Sequence, residues 1–338
     1  MSMPQRKYLS EFAVSLCTSQ WLAAPSDQLA SGGVMRSPEK EISEMCHIYL
    51  ICKKPAFTYD PDTFTYDKGR VKGDLIYRVM GVPKRIPFNI PFTLYDGAKD
   101  VRLAPYPHRE FETFDADGNP VRYYPAYMMC RTLEASGMDL PDELKDYEVL
   151  YVGQAYADGR RNAFDRLKNH STMQKILAET HYNMPDDQIW VLTFVYEPYV
   201  TMMMFDGRSE SAIRGEEDDA RFVSTVENPL TKHEQICLAE AGLIRYFQPT
   251  YNKIYRDSFP SSELEILRAC YERDFSALSV EIDTSELGWR IYSKSAKPSS
   301  HHIAKFDLFE QNERLSFFAM TAESRNADVI GPKTRHQV

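Results

Sequence analysis

Three short apolar runs in this chain have the length and composition of buried β-strands. They cover residues 46–52, 147–152 and 188–196, and Gly153 closes the second run. Runs of about four to eight apolar residues without polar alternation are typical of strands that are covered on both faces. We therefore expect these three runs to belong to the buried core of a sheet.

A helix is predicted between Thr231 and Pro249. Thr231 and Glu234 have the spacing of a capping box, which satisfies free backbone N–H groups at a helix start, and Pro249 ends the helix. Apolar residues repeat at helical spacing along it and form a stripe facing the interior: Ile236, Ala239, Leu243, Ile244 and Phe247. Glu240 lies within this stripe, so we expect its carboxylate to point toward the packed side.

The carboxylate of Glu240 is the most informative group in the sequence. Burying an unpaired carboxylate is costly, so a buried glutamate usually has a cationic partner, binds a metal ion or is protonated. From this helix alone, a structural ion pair with an arginine and a functional role carry equal weight.

The remaining pattern predicts a mixed α/β chain. Further helices are predicted at residues 6–23, 128–136, 162–170, 172–180 and 261–274. Further strands are predicted at residues 74–80, 88–94, 121–124, 278–282, 290–293 and 302–309. Polar residues predict a loop at 26–38 and an exposed acidic connection at 204–220, while residues 53–146 suggest a small β-rich or mixed insertion.

Composition narrows the class of protein. The chain has 338 residues, of which 43% are hydrophobic and 26% charged, as is typical of a soluble globular protein. It has neither a stretch of about 20 apolar residues nor a basic segment followed by an apolar one at its start, so we expect no membrane partner and no signal peptide. The six cysteines form no Cys-x-x-Cys pair, which favours a reduced, cytoplasmic setting.

Charge is segregated along the chain. A net charge of −9 argues against a protein that coats nucleic acid nonspecifically. Residues 151–175 nevertheless carry five cations against two aspartates, and Glu216–Asp219 form a compact acidic run that we expect in a solvated loop. The cations of this basic segment are Arg160, Arg161, Arg166, Lys168 and Lys175.

Six polar or aromatic positions occur in a telling order on these elements. Tyr49 lies on the first strand and Tyr151 on the second, and Arg166 and His170 follow at i and i+4 on one predicted helix face. Glu240 then lies on the next helix, with Asn252 beyond its end. Each position alone is ordinary; their order together is informative.

This order resembles the GIY-YIG nuclease superfamily, over residues 45–52 and 147–254. The resemblance implies an α/β (α+β) fold with a small GIY-YIG-like mixed sheet flanked by helices, and metal-dependent cleavage of phosphodiester bonds, most often in DNA. It also implies a set of catalytic residues: Tyr49, Tyr151, Arg166, His170, Glu240 and Asn252.

The implied roles agree with the chemistry of phosphodiester hydrolysis. Glu240 supplies the single carboxylate that Mg²⁺ tolerates, with Mn²⁺ as a substitute, and Arg166 grips the phosphate. By resemblance Tyr49 is the general base, and the sequence alone does not decide between Tyr49 and His170. Tyr151 and His170 orient the water or phosphate, and Asn252 holds neighbouring groups. Nucleic acid is also expected to contact a basic loop and the helix after it, through Arg160, Arg161 and Lys168.

The sequence departs from the family in three places, one of which is a few extra residues, 157–161, between Tyr151 and Arg166. His47 stands where the first motif has Gly, and 101 residues separate Tyr49 from Tyr151 where a short hairpin is usual. The predicted organisation is therefore an N-terminal extension (1–44), a nuclease-like domain (45–52 plus 147–254), an insertion (53–146), a C-terminal accessory region (255–321) and a flexible tail (322–338). The insertion or the C-terminal region would select the substrate, a protein partner or a second copy.

Two alternatives belong to other classes. One is a catalytically inactive nucleic-acid or protein-binding module that retains the fold, with Glu240 paired to Arg166 instead of a metal. The other is an unrelated interaction protein in which the motif match is accidental. The second predicts that the strand at 46–52 does not pair with the strand at 147–152.

Overall fold

The computed structural model describes residues 5–30, 37–156, 167, 170–207, 210–310, 313–319 and 328–332. Within these ranges the chain has a mixed α/β fold with several sheets. No helix among these residues combines the length and apolar character needed to cross a membrane.

The strands are β1 Ser10–Leu16, β2 Thr18–Pro25, β3 Ile48–Pro55, β4 Thr58–Tyr59, β5 Thr65–Asp67, β6 Arg70–Val79, β7 Val82–Pro91, β8 Asp100–Leu103, β9 Glu110–Phe114, β10 Pro120–Pro125, β11 Asp146–Gln154, β12 Asp187–Tyr196, β13 Val200–Phe205, β14 Ala277–Asp283, β15 Arg290–Tyr292, β16 His301–Asp307 and β17 Val329–Ile330. The described helices are α1 Ser26–Ala30, α2 Ser37–Met45, α3 Ala126–Ala135, α4 Asp142–Lys145, α5 Ser171–Asn183, α6 Glu216–Glu227, α7 Lys232–Phe247 and α8 Arg268–Glu272, with short 3-10 turns at Glu265–Leu267 and Ser285–Leu287.

The chain divides into two compact units. The first comprises Met1–Cys52, Asp146–Lys175 and Trp190–Val338, and the second comprises Lys53–Lys145 and Ile176–Ile189. The first segment of the second unit, Lys53–Lys145, matches the bounds of the predicted insertion (53–146) to within one residue. The unit also includes Ile176–Ile189, which the sequence pattern did not suggest. In the first unit, the residues predicted as N-terminal extension and C-terminal accessory region share sheets with the predicted nuclease-like core.

Two five-stranded sheets organise the first unit. One has the strand order β15-β11-β3-β12-β2 and the other β13-β1-β14-β16-β17. Helix α7 packs against β11 of one sheet and against β14 and β16 of the other. The approach is close at Gly242, where a Cβ atom would lie 2.8 Å from Cγ2 of Val280 on β14. A residue without a side chain is needed here for the helix to reach the sheet.

Both ends of α7 form as the sequence predicts. The Thr231 side chain accepts from the backbone of Glu234, whose carboxylate accepts in return from the backbone of Thr231. At the other end Gln248 adopts a left-handed conformation and Pro249 follows. More of the helix is buried than one stripe, because both sheets cover it. The buried set is Gln235, Ile236, Leu238, Ala239, Ala241, Gly242, Leu243, Ile244 and Phe247.

An aromatic core fills the second unit. Tyr59 contacts three phenylalanine rings edge-on, and Phe111 stacks on Tyr124 with ring centroids 4.8 Å apart. The sheets β10-β9-β8 and β4-β6-β5, with β7 paired to β6, supply all of these rings except Phe64, which immediately precedes β5. The second unit therefore has a core of its own, made mostly of side chains from short strands.

Two predictions are wrong: the helix near the N-terminus and the solvated loop in the acidic connection. Residues 6–23 form β1 and β2 instead of a helix, because β1 is hydrogen-bonded on both sides, to β13 and β14, and its apolar run is buried on both faces. The acidic run Glu216–Asp219 is the first turn of α6, where negative charge is favourable. Asp218 is buried and accepts from the backbone and the hydroxyl of Ser10.

The C-terminal elements differ from the prediction in detail. The helix predicted at residues 261–274 is reduced to a 3-10 turn and the five-residue α8. Within the tail that was expected to be flexible, β17 pairs in parallel with β16.

Candidate active site

Strand β3 lies beside β11 in the first sheet. The backbone N–H of Ala155, just after β11, donates to the carbonyl of His47, just before β3, at 2.8 Å. The beginning of β3 therefore meets the end of β11, and the two strands run antiparallel with Tyr49 level with Gly153. The alternative in which the motif match is accidental predicted that these two strands would not pair. They do pair.

Three rings of the predicted site come together beside these strands. The ring centroids of Tyr49 and Tyr151 are 6.1 Å apart. His170, immediately before α5, lies 6.2 Å from Tyr49 and 5.4 Å from Tyr151. Their burial differs, because Tyr49 is fully buried whereas Tyr151 and His170 are half-buried. The two half-buried rings form the accessible part of this group.

Gly153 makes room for the two tyrosine rings. A Cβ atom at this position would lie 2.6 Å from both Cζ and the hydroxyl oxygen of Tyr49, and 2.7 Å from Cε1 of Tyr151. Real Cβ atoms do not come so close to other atoms, so the rings can lie over the strand only because residue 153 has no side chain. The glycine that closes the predicted strand therefore has a steric role in the site.

Asn252 fastens the segment after α7 to the end of β11. Its side-chain amide donates to the carbonyl of Val152 at 2.8 Å, and its side-chain oxygen accepts from the Val152 N–H at 2.9 Å. The neighbouring backbone N–H of Tyr251 donates to Leu150 at 3.1 Å. Asn252 is buried, so both bonds are shielded from water. It holds the strand next to Tyr151 in place.

Glu240 lies on the side of α7 that faces the end of β11. It is half-buried instead of fully buried. One turn earlier on the helix, Cys237 accepts from the side-chain amide of Gln154 on β11 at 3.4 Å. Burial, and after it the Glu240 carboxylate, raises the pKa of Tyr255. Because Glu240 follows Cys237 by about one turn of α7, it lies near the end of β11, the strand that carries Tyr151.

A cluster of aromatic side chains that the sequence did not predict lies next to the face of α7 that carries Glu240. Tyr156 contacts His47 edge-on at 5.2 Å and stacks on His233 at 5.6 Å with an interplanar angle of 20°. His233 Nε2 lies 3.4 Å from the Cys237 sulfur. The i, i+4 spacing of His233 and Cys237 was visible in the sequence, but nothing there connected it to Tyr156. We refer to His47, Tyr156 and His233 as the aromatic platform.

Four predicted site residues lie outside the described residues. They are Arg160, Arg161, Arg166 and Lys168. The phosphate-gripping role of Arg166 and the nucleic-acid contacts of the basic loop therefore stay predictions.

The described residues suit a magnesium site, which needs few protein ligands, better than a metal site formed entirely by protein ligands. Among the residues that the structure describes, no three His, Cys, Asp or Glu side chains are grouped so that they could hold a metal. Mg²⁺ requires no such group, because it keeps several waters and is commonly bound through one or two carboxylates and substrate phosphates. Glu240 can supply the carboxylate. A structural zinc, with four protein ligands, has no such set among these residues.

Comparisons with protein-family models, with curated proteins and with solved structures found no match. The GIY-YIG resemblance therefore rests on the order of six residues in the sequence and on the geometry of the described ones.

Proposed function

We propose that this chain is a metal-dependent endonuclease that hydrolyses phosphodiester bonds, with DNA as its substrate. The observation that carries the proposal is the convergence of Tyr49, Tyr151 and His170 at the end of β11, beside the half-buried Glu240 and the buried Asn252. Residues up to 203 positions apart in the sequence meet there.

The burial of these side chains favours His170 as the group that takes the proton. Hydrolysis needs a water that attacks phosphorus while its proton passes to a base and the bond from phosphorus to the leaving oxygen breaks. Tyr49 is fully buried, whereas the imidazole of His170 is half-buried beside it. We assign Tyr49 and Tyr151 the role of orienting the imidazole and the water. Asn252 holds the strand that carries Tyr151.

Glu240 would hold the metal ion, which when bound neutralises charge on the phosphate and activates the attacking water. The residues of the chain then keep the phosphate close to His170. Arg166 contributes a second positive charge in this proposal, as a bidentate partner of the phosphate oxygens. The choice of DNA follows from the resemblance. So does a role in defence against foreign DNA, with repair or mobile-element processing as alternatives within the same chemistry.

The test compares the native protein with Glu240→Gln on plasmid, linear duplex and single-stranded DNA and on RNA, with Mg²⁺ or Mn²⁺ and with EDTA. We expect metal-dependent cutting that is lost in the variant, because an amide keeps the shape of the carboxylate but loses its charge. Glu263→Gln is the matched control, since Glu263 is an exposed carboxylate on a loop and the substitution changes charge equally.

Cutting by Glu240→Gln at the native rate would refute the assigned metal site. Absence of cutting by the native protein on every substrate, with metal present and the fold intact, would refute the nuclease proposal.

The full burial of Tyr49 favours one second candidate, a nucleic-acid or protein-binding module that retains this fold without activity. In such a module the ring would act only as part of the core. Binding without cleavage, equal in the native protein and Glu240→Gln, would support this candidate.

A further inference from the structure

We propose that the aromatic platform binds an unpaired nucleobase next to the cleavage site, so that the substrate is single-stranded nucleic acid or a duplex with unpaired bases beside the cut. This inference rests on the proposed nuclease function and specifies the substrate of that same site. It starts from the three rings His47, Tyr156 and His233, none of which belongs to the predicted catalytic set.

The three rings of the platform follow one another from the interior to the surface. His47 is half-buried, and its Nδ1 lies 3.2 Å from the carbonyl of Ala155. It contacts the half-buried Tyr156 edge-on, and Tyr156 stacks on His233. His233 is exposed although one face of its ring is covered by Tyr156. A further ring would stack on the opposite face of the imidazole.

A contact at the edge of the His233 imidazole also limits the rotation of the ring. Its Nε2 lies 3.4 Å from the Cys237 sulfur, and that sulfur accepts from the Gln154 amide on β11. The ring is thus fixed by a stacked neighbour and by a contact at its edge. A fixed ring loses little conformational entropy when a base stacks on it, which makes it a better platform than a freely rotating surface histidine.

The platform lies along the same helix face as the metal-binding carboxylate. His233, Cys237 and Glu240 are at i, i+4 and i+7 of α7, and two turns of helix span about 10 Å. At ~3.4 Å per stacked nucleotide, this is a separation of about three nucleotides. A strand whose phosphate reaches Glu240 can therefore place a nearby base on His233.

An unpaired base is the occupant that this chemistry selects. Every base has a π-face that stacks on an aromatic ring, whereas a base inside a duplex has both faces already covered. The chain also carries a net charge of −9, which weakens nonspecific binding through phosphates. Stacking is a source of affinity that does not depend on net positive charge.

The experiment measures binding in the Glu240→Gln background, in which substrate is expected to stay intact. The probes are a fluorescein-labelled single strand, the same sequence as a duplex, and the single strand with abasic sites. We expect the single strand to bind most tightly, and His233→Ala to weaken its binding by ~5- to ~150-fold, the range for loss of one base stack. His233→Phe and Tyr156→Phe keep the rings and are expected to retain most of the affinity, whereas Tyr156→Ala is expected to lose affinity.

Two further readouts separate stacking from a general loss of structure. The slope of log K against log salt concentration should stay unchanged in His233→Ala, because the variant loses no phosphate contact. A 2-aminopurine base about three nucleotides from the cut should be quenched by the native platform and not by His233→Ala.

Equal affinity for single strand and duplex, or an unchanged affinity in both His233→Ala and Tyr156→Ala, would overturn the inference and leave the nuclease proposal standing. Failure of Glu240→Gln to bind any of the probes, with the native protein also inactive, would overturn both.

Discussion

Replacing Gly153 by alanine tests the steric argument at the centre of the site. The added methyl would lie 2.6 Å from the Tyr49 ring and 2.7 Å from the Tyr151 ring. The backbone at Gly153 needs no positive φ, so the substitution brings no backbone strain. Tyr49 is fully buried and cannot turn out to solvent. The strain must therefore appear as displaced rings or a shifted strand.

The expected cost follows from two opposing effects. Overpacking a core by a methyl group typically costs about 1–3 kcal/mol. Alanine in place of glycine within a strand recovers about 0.5–1 kcal/mol of backbone entropy. We expect Gly153→Ala to lower the free energy of unfolding by about 1–2 kcal/mol. Cutting should fall as well, because both displaced rings belong to the site.

Urea unfolding, monitored by tryptophan fluorescence, measures the loss of stability in the compact unit that contains Gly153. All three tryptophans, Trp21, Trp190 and Trp289, belong to the first compact unit, as does Gly153. The matched control is Gly207→Ala, since a Cβ at Gly207 would meet nothing within 4 Å. We expect the control to be neutral or slightly stabilising.

A double-mutant cycle with Tyr49→Leu then identifies the clash. Leucine has no atoms where the tyrosine has Cζ and the hydroxyl oxygen, so the added methyl should be tolerated better beside it. The double variant should be more stable than the sum of the single effects predicts. Stability of Gly153→Ala equal to that of the native protein, or strictly additive effects in the cycle, would refute the steric reasoning.

Three further predictions concern other buried groups. Asn252→Ala should lower stability by about 2–4 kcal/mol in the same urea assay, because it leaves both the N–H and the carbonyl of Val152 buried without their partners; a loss below 1 kcal/mol would contradict this. Arg314→Gln should cost about 3–5 kcal/mol, since it leaves the fully buried Glu11 carboxylate without its cation; near-native stability would show that the ion pair is dispensable. Burial lowers the pKa of His302 below its ordinary value, so the unfolded chain binds this proton more readily and stability is lost as the pH falls below ~6.5. In His302→Gln that loss should be smaller, and an identical pH dependence in the two proteins would contradict the assignment.

The sequence predicted local features well where one interaction decides the outcome. The capping box at Thr231 and the end of α7 near Pro249 depend on neighbouring residues, and both formed as expected. The strands at 46–52, 147–152 and 188–196 also correspond to β3, β11 and β12. Apolar runs of this length have few other ways to be buried.

Features that depend on distant partners were predicted poorly. Residues 6–23 became two strands because β1 is hydrogen-bonded to strands about 190 and 260 residues away in sequence. Glu240 is half-buried although its neighbours in the helical stripe are buried, and the spacing of apolar residues could not show this difference. The platform was missed because Tyr156 and His233 meet only when β11 packs on α7.

The 101 residues between the two tyrosine motifs are compatible with adjacent strands on simple energetic grounds. Lengthening a flexible loop from about 12 to 101 residues adds only about 2 kcal/mol of closure entropy. The second compact unit reduces even this cost, because its own fold brings its ends together: the buried Lys54 ammonium donates to the carbonyl of Leu144 at 2.7 Å. A segment whose first and last residues are neighbours can replace a short hairpin turn. The strands that it joins can then pair as they would around that turn, which is why the spacing of Tyr49 and Tyr151 in sequence does not count against their meeting in one site.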